Sequence, residues 1–173
     1  MESNVTFISG LPRCRSAWLT TYAIAHGAVA IHEPTRFTHP ELIIDTFKEH
    51  GSPLVFAGHD LVCNYSHLKD KGKWIIIQRD VSDVQNTLDD RLNEDVLSHY
   101  REQISEAVLD GALLIDYQDL NTFDAIKQVH RAIFESTESF NSIRADTLNG
   151  FNIEPHYEKY MDKEKKISEF FNE

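Results

Sequence analysis

The chain has 173 residues, of which 41% are hydrophobic and 26% charged, values typical of one globular domain that needs no disulfide or metal to fold. Its formal net charge of −11 argues against nucleic acid as a partner, because an acidic surface repels a polyanion. The segment MESNVTFISG has no basic region followed by a long apolar core, so we expect no secretory signal, and no apolar run approaches the about 18 residues that span a bilayer. We therefore expect a cytoplasmic protein with no membrane partner.

Apolar runs alternate with amphipathic segments along the chain, which favours an α/β fold. Continuous apolar runs predict buried parallel strands over 5–9, 28–33, 53–59, 73–80 and 112–117. Helical patterns cover 16–26, 40–50, 81–92, 95–111 and 123–137. Ser16 is the expected N-cap of the first helix. The prediction is a three-layer α/β/α domain over 1–173 with a mainly parallel sheet of about 4–5 strands. Within it, about 140–173 form a peripheral loop and a polar terminal helix.

Ligands of open α/β sheets bind beyond the carboxyl ends of the strands, so the residues that follow each strand are the candidates for function. The first of these segments, Gly10 to Ala17, joins a predicted strand to a predicted helix and contains two arginines. Its backbone N–H groups and the helix dipole favour an anion. An ATP-binding loop would end in Gly, Lys and Ser or Thr, where this chain has Arg15, Ser16 and Ala17. A magnesium-dependent nucleoside triphosphatase is therefore disfavoured, and no metal is expected.

The segment GLPRCRSAWL, 10–19, resembles the 5′-phosphosulfate loop of the PAPS-dependent sulfotransferases. Pro12, Arg13, Ser16, Trp18 and Leu19 fit the family pattern. Three positions depart from it, because Cys14 replaces a serine, Arg15 a glycine and Ala17 a hydroxyl residue. The resemblance implies that the loop from Gly10 to Trp18 binds the cofactor, with Arg13 serving the leaving phosphate and Ser16 donating to the 5′-phosphate.

A thiol between two arginines at a helix start is also expected to have a lowered pKa, which raises the question of a cysteine phosphatase. The Cys-x₅-Arg pattern of such an enzyme would need an arginine at position 20, where this chain has Thr20. The sequence therefore does not support thiol chemistry at Cys14.

The segment IIIQRDVSDVQNTL, 75–88, resembles the family's 3′-phosphate segment, in which a strand ends in arginine and a serine follows eight residues later. Arg79 and Thr87 occupy these two places, and a guanidinium can fork onto a phosphate. A salt bridge from Arg79 to Asp80 or Asp83 is the plain structural alternative. The segment LLIDYQDL, 113–120, also resembles a family strand, and its Tyr117 is expected to pack.

Two residues compete for the role of catalytic base. His59 ends SPLVFAGH, which resembles a family segment ending in Lys-Thr-His, although Ala57 and Gly58 replace the lysine and threonine. Glu33, in IHEPTRF, resembles the glutamate that follows the second strand in tyrosylprotein and bacterial sulfotransferases. His59 is favoured because a histidine needs little tuning near pH 7, whereas the pKa of Glu33 would have to be raised by burial.

The resemblance implies a compact sulfotransferase-like P-loop protein that binds PAPS or PAP and transfers a sulfuryl group to a hydroxyl or amine of a small or unidentified acceptor. The family's late Arg-Lys-Gly segment has no counterpart after residue 137. Two alternatives stay open. One is a small-molecule or nucleotide kinase that uses ATP, and the other is a non-catalytic nucleotide-binding or interaction module on the same fold.

Overall fold

Five strands form one parallel sheet in the order β2-β3-β1-β4-β5. This computed structural model describes residues 4–36, 39–47, 51–85 and 93–141. The strands are β1 (Val5–Gly10), β2 (Val29–His32), β3 (Leu54–Ala57), β4 (Lys73–Gln78) and β5 (Leu113–Asp116). All four pairings are parallel. The predicted parallel α/β sheet is thereby confirmed.

Helices connect the strands on both faces of the sheet. They are α1 (Ser16–Ala25), α2 (Pro40–Phe47), α3 (Tyr65–Leu68), α4 (Val81–Gln85), α5 (Glu94–Leu109) and α6 (Phe123–Phe134). Short 3₁₀ segments cover Pro34–Arg36, His59–Asn64, Lys69–Lys71 and Asp119–Asn121. In the described ranges no helix is long and apolar enough to cross a membrane. The predicted loop and terminal helix beyond residue 141 lie outside the described residues.

The two faces of the sheet carry separate halves of the core, because successive side chains of a strand point to opposite sides. Phe7 of β1 stacks on Phe56 of β3 and on Trp74 of β4, and this face packs against α5 and the segment between β3 and β4. Ile8 and Ile75 point to the other face, which α1 and α6 cover. This is the predicted three-layer α/β/α arrangement.

The strand order places a crevice at the carboxyl ends of β1 and β3. The connection that leaves β1 runs towards β2, whereas the connection that leaves β3 crosses β1 to reach β4. Ligands of open α/β sheets bind at the place where the direction of the connections switches in this way. Gly58 and His59 follow β3 there, beside the loop that follows β1.

Ser16 is not the N-cap of α1, contrary to the sequence prediction. Arg15 occupies that position, and no side chain caps the helix. Ser16 is the first helical residue, so its hydroxyl is available for another contact. Ordinary side-chain caps are present further along, from Asn93 on α5 and Thr122 on α6. α3 also begins without a side-chain cap, at Asn64.

Candidate active site at the carboxyl edge of the sheet

The backbone of the loop between β1 and α1 has an uncommon shape for its residues. Arg13 and Arg15 both adopt the left-handed conformation, with φ of 64° and 63°. This conformation is costly for residues other than glycine, and in turns it aims successive N–H groups into a concave anion-binding surface. Arg15 stands where the resembling pattern has glycine, and its left-handed φ is a conformation that glycine adopts at less cost.

Gly10 lets the loop begin close to the neighbouring strand. A Cβ atom at this position would overlap the carbonyl oxygen of Ile77 in β4. Any larger residue would have to push β1 and β4 apart where they carry the loop and Arg79. The glycine therefore has a steric role at the base of the site.

The Arg15 side chain turns towards the connection between β5 and α6. Its Nη1 donates to Oδ1 of Asn121 at 3.0 Å, and its guanidinium lies 4.8 Å from the ring centroid of Trp18. Burial lowers the pKa of this guanidinium. These contacts fasten the loop on the α6 side of the sheet.

Arg79 fastens the loop from β4. Its Nη1 donates to the carbonyl oxygen of Arg13 at 2.8 Å, and its guanidinium lies 4.4 Å from the ring centroid of Tyr117, which packs as expected. Within the described part of the chain Arg79 forms no ion pair, and Asp80 instead accepts hydrogen bonds from Ser82. The Arg79 Nε atom is buried without a hydrogen-bond partner among these residues. The Arg79 guanidinium therefore lies beside the loop with N–H donors that no described residue uses.

The Cys14 and Trp18 side chains belong to the core. Both are buried, and Trp18 stacks on Tyr22 with ring centroids 5.5 Å apart. Burial raises the pKa of the Cys14 thiol to about 11, although hydrogen bonds from Ser16 and the charge of Arg79 oppose the shift. The expectation of a lowered thiol pKa is wrong because desolvation outweighs the nearby cations. Pro12 is also buried and Ala17 partly so.

The two candidate bases lie next to each other. Glu33 Oε1 is 3.3 Å from Nδ1 of His59, and the Glu33 side chain is 10% exposed against 31% for His59. The His59 ring also lies nearly parallel to that of Tyr100, with centroids 6.4 Å apart. The imidazole therefore presents Nδ1 to a buried carboxylate, which leaves Nε2 as the nitrogen that can take a proton from a ligand.

The register of two strands and one glycine bring this pair together. His32 of β2 lies opposite Ala57 of β3, and the Glu33 N–H donates to the Ala57 carbonyl oxygen at 2.7 Å. Glu33 has a φ of 49°, a left-handed conformation that points to a positional constraint. A Cβ at Gly58 would lie 2.6 Å from Oδ1 of Asp60 and 3.1 Å from Glu33 Cα, so only glycine permits this approach.

His32 is a site residue that the sequence interpretation missed. Its Nε2 is 3.0 Å from Oγ of Ser16 and 3.9 Å from Oε1 of Glu33. It therefore joins the anion loop to the Glu33–His59 pair. The feature of the sequence that could have identified His32 is its position, a polar residue at the end of a buried strand and directly before the candidate base Glu33.

Thr87, the predicted second contact to a 3′-phosphate, lies outside the described residues. The other predicted side chains are distributed between the loop, the end of β4 and the ends of β2 and β3. In the described residues, no group of three or more His, Cys, Asp or Glu side chains is arranged to hold a metal ion. The described site thus combines the candidate anion loop with a carboxylate–histidine pair.

Comparisons with known proteins identify the fold. No protein-family model matches the sequence, and no curated protein matches it significantly. The structure is similar to shikimate kinase from Aquifex aeolicus vf5, with a TM-score of 0.50 and 8% identity over 78% of this chain and 99% of that one. It also resembles a de novo designed P-loop protein, with a TM-score of 0.46 and 12% identity over 77% of this chain and 96% of that one. The first likeness shows that the chain shares the P-loop α/β/α fold of that enzyme, and at this identity it shows the fold alone.

Proposed function

We propose that this protein is a P-loop transferase that binds PAPS and transfers its sulfuryl group to a hydroxyl or amine of a small acceptor. The observation that carries the proposal is the contact between Glu33 and His59, at 3.3 Å, in the crevice beside an anion-binding loop. The fold is compatible with phosphoryl transfer and with the related transfer of a sulfuryl group. The choice of PAPS rests on the resemblance of the loop and of the segment around Arg79.

The loop and Arg79 would hold the nucleotide. The left-handed residues Arg13 and Arg15 and the start of α1 offer backbone N–H groups to the 5′-phosphosulfate. The Arg79 side chain is half-exposed and its guanidinium uses one N–H in its described hydrogen bond, so the guanidinium has N–H donors that suit a charge-assisted bond to a phosphate. Arg13, whose side chain is exposed, would serve the leaving phosphate. A loop without the lysine and hydroxyl of the ATP type favours a nucleotide that needs no magnesium.

His59 would act as the base and Glu33 as its orienting partner. With a proton on Nδ1 facing the carboxylate, Nε2 accepts the proton of the acceptor oxygen. As that oxygen forms its bond to sulfur, the bond from sulfur to the 5′-phosphate oxygen breaks, and PAP leaves with the bonding electrons. The product proton then rests on His59 until solvent removes it. The two candidate bases are thereby assigned different tasks in one step.

Calorimetric titration tests the cofactor, with PAP in one series and ATP with and without magnesium in another. We expect PAP to bind and ATP binding not to depend on magnesium. Turnover is then followed with labelled PAPS and a panel of small hydroxyl and amine acceptors, comparing wild type with His59→Ala. Binding of ATP only with magnesium would instead favour a kinase. Binding of PAP without turnover, unaffected by His59→Ala, would favour a non-catalytic module.

A further inference from the structure

Besides the buried Cys14 thiol, which holds its own proton and is a weak hydrogen-bond acceptor, the Ser16 hydroxyl faces two possible partners. It lies at the first residue of α1, where the proposed anion binds, and it is 3.0 Å from Nε2 of His32. A hydroxyl has one proton to donate and two lone pairs that accept. If Ser16 donates to His32, it has no proton left for an anion. If His32 donates to Ser16, the hydroxyl proton is free to point at the ligand.

The tautomer of His32 therefore decides what the loop can offer. The same Nε2 atom that faces Ser16 also lies 3.9 Å from Oε1 of Glu33. A carboxylate on this side favours a proton on Nε2 rather than a bare lone pair, because the proton reduces the repulsion between the two acceptors. That form of the imidazole donates towards Ser16.

We propose that His32 is a positioning residue of the anion site. It carries its proton on Nε2, donates to Ser16 Oγ and so directs the Ser16 hydroxyl proton at an oxygen of the bound anion. The role deepens the proposed function and rests on it for the identity of the anion as the 5′-phosphate of PAP. The hydrogen-bond arrangement itself belongs to the free protein and does not depend on that identity.

The arrangement also gives Glu33 a second task. Its Oε1 faces His59 at 3.3 Å and His32 at 3.9 Å, so one carboxylate orients the base on one side and the anion-binding hydroxyl on the other. Both imidazoles follow or end a strand, and the register of β2 with β3 sets their separation. Glu33 therefore links the part of the site that would bind the acceptor, at His59, to the part that would bind the nucleotide, at Ser16.

The first test needs no ligand. Nitrogen-15 NMR of the imidazole rings in the ligand-free protein reports which nitrogen carries the proton, with Ser16→Ala and His32→Gln used to assign the signal. We expect the Nε2–H form for His32. An Nδ1–H form, with Nε2 accepting from Ser16, would overturn the proposal whatever the protein binds.

The second test is a double-mutant cycle on PAP affinity with Ser16→Ala and His32→Leu. Each single variant is expected to weaken binding about tenfold, as for the loss of one hydrogen bond to a charged group, and the double variant no more than either. His32→Gln, whose amide N–H can replace Nε2–H, is expected to restore most of the affinity. His99→Leu, on the exposed face of α5, is the control. Additive losses, or no rescue by glutamine in a variant with wild-type thermal stability, would contradict the positioning role.

The two proposals fail in different ways. If wild type does not bind PAP, the proposed function fails, and the cycle is repeated with inorganic sulfate and pyrophosphate as probes of the loop. If PAP binds but the tautomer or the cycle disagrees, the proposed function stands and the role of His32 is wrong.

Discussion

The guanidinium of Arg79 holds the anion loop by its backbone, through a hydrogen bond from Nη1 to the carbonyl oxygen of Arg13 at 2.8 Å. Tyr117, after β5, supports the same guanidinium at 4.4 Å. One side chain thus connects the ends of β4 and β5 to the loop after β1. A residue in this position affects both the shape of the loop and the charge that a ligand meets.

Replacement of Arg79 should therefore weaken anion binding in a graded way. We expect Arg79→Ala to lower PAP affinity about 100-fold and Arg79→Lys about tenfold, because lysine keeps the charge but lacks the planar fork. Calorimetric titration measures both. Arg101→Ala, which removes a surface arginine paired with Glu94, is the control and should bind PAP like wild type. Wild-type affinity in Arg79→Ala would mean that the anion binds elsewhere.

Glu33→Gln should separate binding from turnover. The variant loses the charged acceptor that orients the His59 ring, so we expect kcat to fall about 100-fold, whereas PAP affinity should fall no more than about tenfold, the loss expected when His32 no longer directs the Ser16 hydroxyl. Steady-state kinetics and calorimetry on the same preparation give both numbers. Glu41→Gln is a matched control, because Glu41 pairs with the exposed His67 at 2.8 Å. Equal loss of turnover in both variants would point to a general effect of charge.

Gly58→Ala should cost stability through contact alone. The backbone there is extended, so alanine suffers no conformational strain, but its Cβ would press on Asp60 and Glu33. We expect the free energy of unfolding to fall by about 1–3 kcal/mol and turnover to fall with it. Gly111→Ala makes the converse change, with open space but a φ of 96°, and should cost about 1 kcal/mol without loss of turnover. Urea unfolding measures both costs, and full activity in Gly58→Ala would contradict the role of this glycine.

His130 should make the protein less stable in mild acid. It is buried, with Nδ1 2.9 Å from the Tyr22 hydroxyl and Nε2 2.9 Å from Ser139 Oγ. Burial, with a smaller contribution from His26, lowers the pKa of His130 from 6.5 to about 4. The unfolded chain therefore binds this proton first, so stability is complete above about pH 6.5 and decreases as the pH falls towards 4.

The expected loss is about 3 kcal/mol over this interval, measured by urea unfolding at several pH values. His130→Asn, whose amide oxygen can accept from Tyr22, should be less stable at pH 7 but should show a shallower dependence on pH. His99→Asn should keep the wild-type slope, because His99 is exposed on α5. An unchanged slope in His130→Asn would assign the acid sensitivity to other groups.

The two thiols should react slowly and unequally. Burial raises the pKa of Cys14 to about 11 and also raises that of Cys63, which is only partly buried. Because the thiolate is the reactive form, we expect iodoacetamide at pH 8 to modify Cys63 first and to leave Cys14 untouched until the protein is unfolded in urea. Peptide mass spectrometry measures the order. Rapid alkylation of native Cys14 would contradict its burial.

The fold could be predicted because its strands are continuous apolar runs in the sequence. Runs such as Trp74–Ile77 must be covered on both faces, and such runs predict parallel strands between helices. The predicted strands extend one or two residues beyond the observed ends at 28–33, 53–59, 73–80 and 112–117, because the apolar pattern does not mark where the ladder of hydrogen bonds ends. The 3₁₀ segment His59–Asn64 has no period that would identify it.

The sequence names the residues of the candidate site but does not show the contacts between them. The candidate bases Glu33 and His59 are 26 positions apart, and only the β2–β3 register shows that they are neighbours. Ser16 was interpreted as a cap because serine often caps helices, but a left-handed Arg15 takes that place and turns the hydroxyl to His32. Local propensity cannot report such a contact, since it depends on how two strands are paired.

The loop after β1 is held at two points, which restricts its motion. Arg79 holds it from β4 and Arg15 ties it to Asn121 beyond β5, so two costly left-handed residues are kept in place before any ligand arrives. Binding then requires little ordering of the chain. The backbone N–H order parameters of this loop, measured by nitrogen-15 relaxation, should be close to those of the sheet, with ligand and without it.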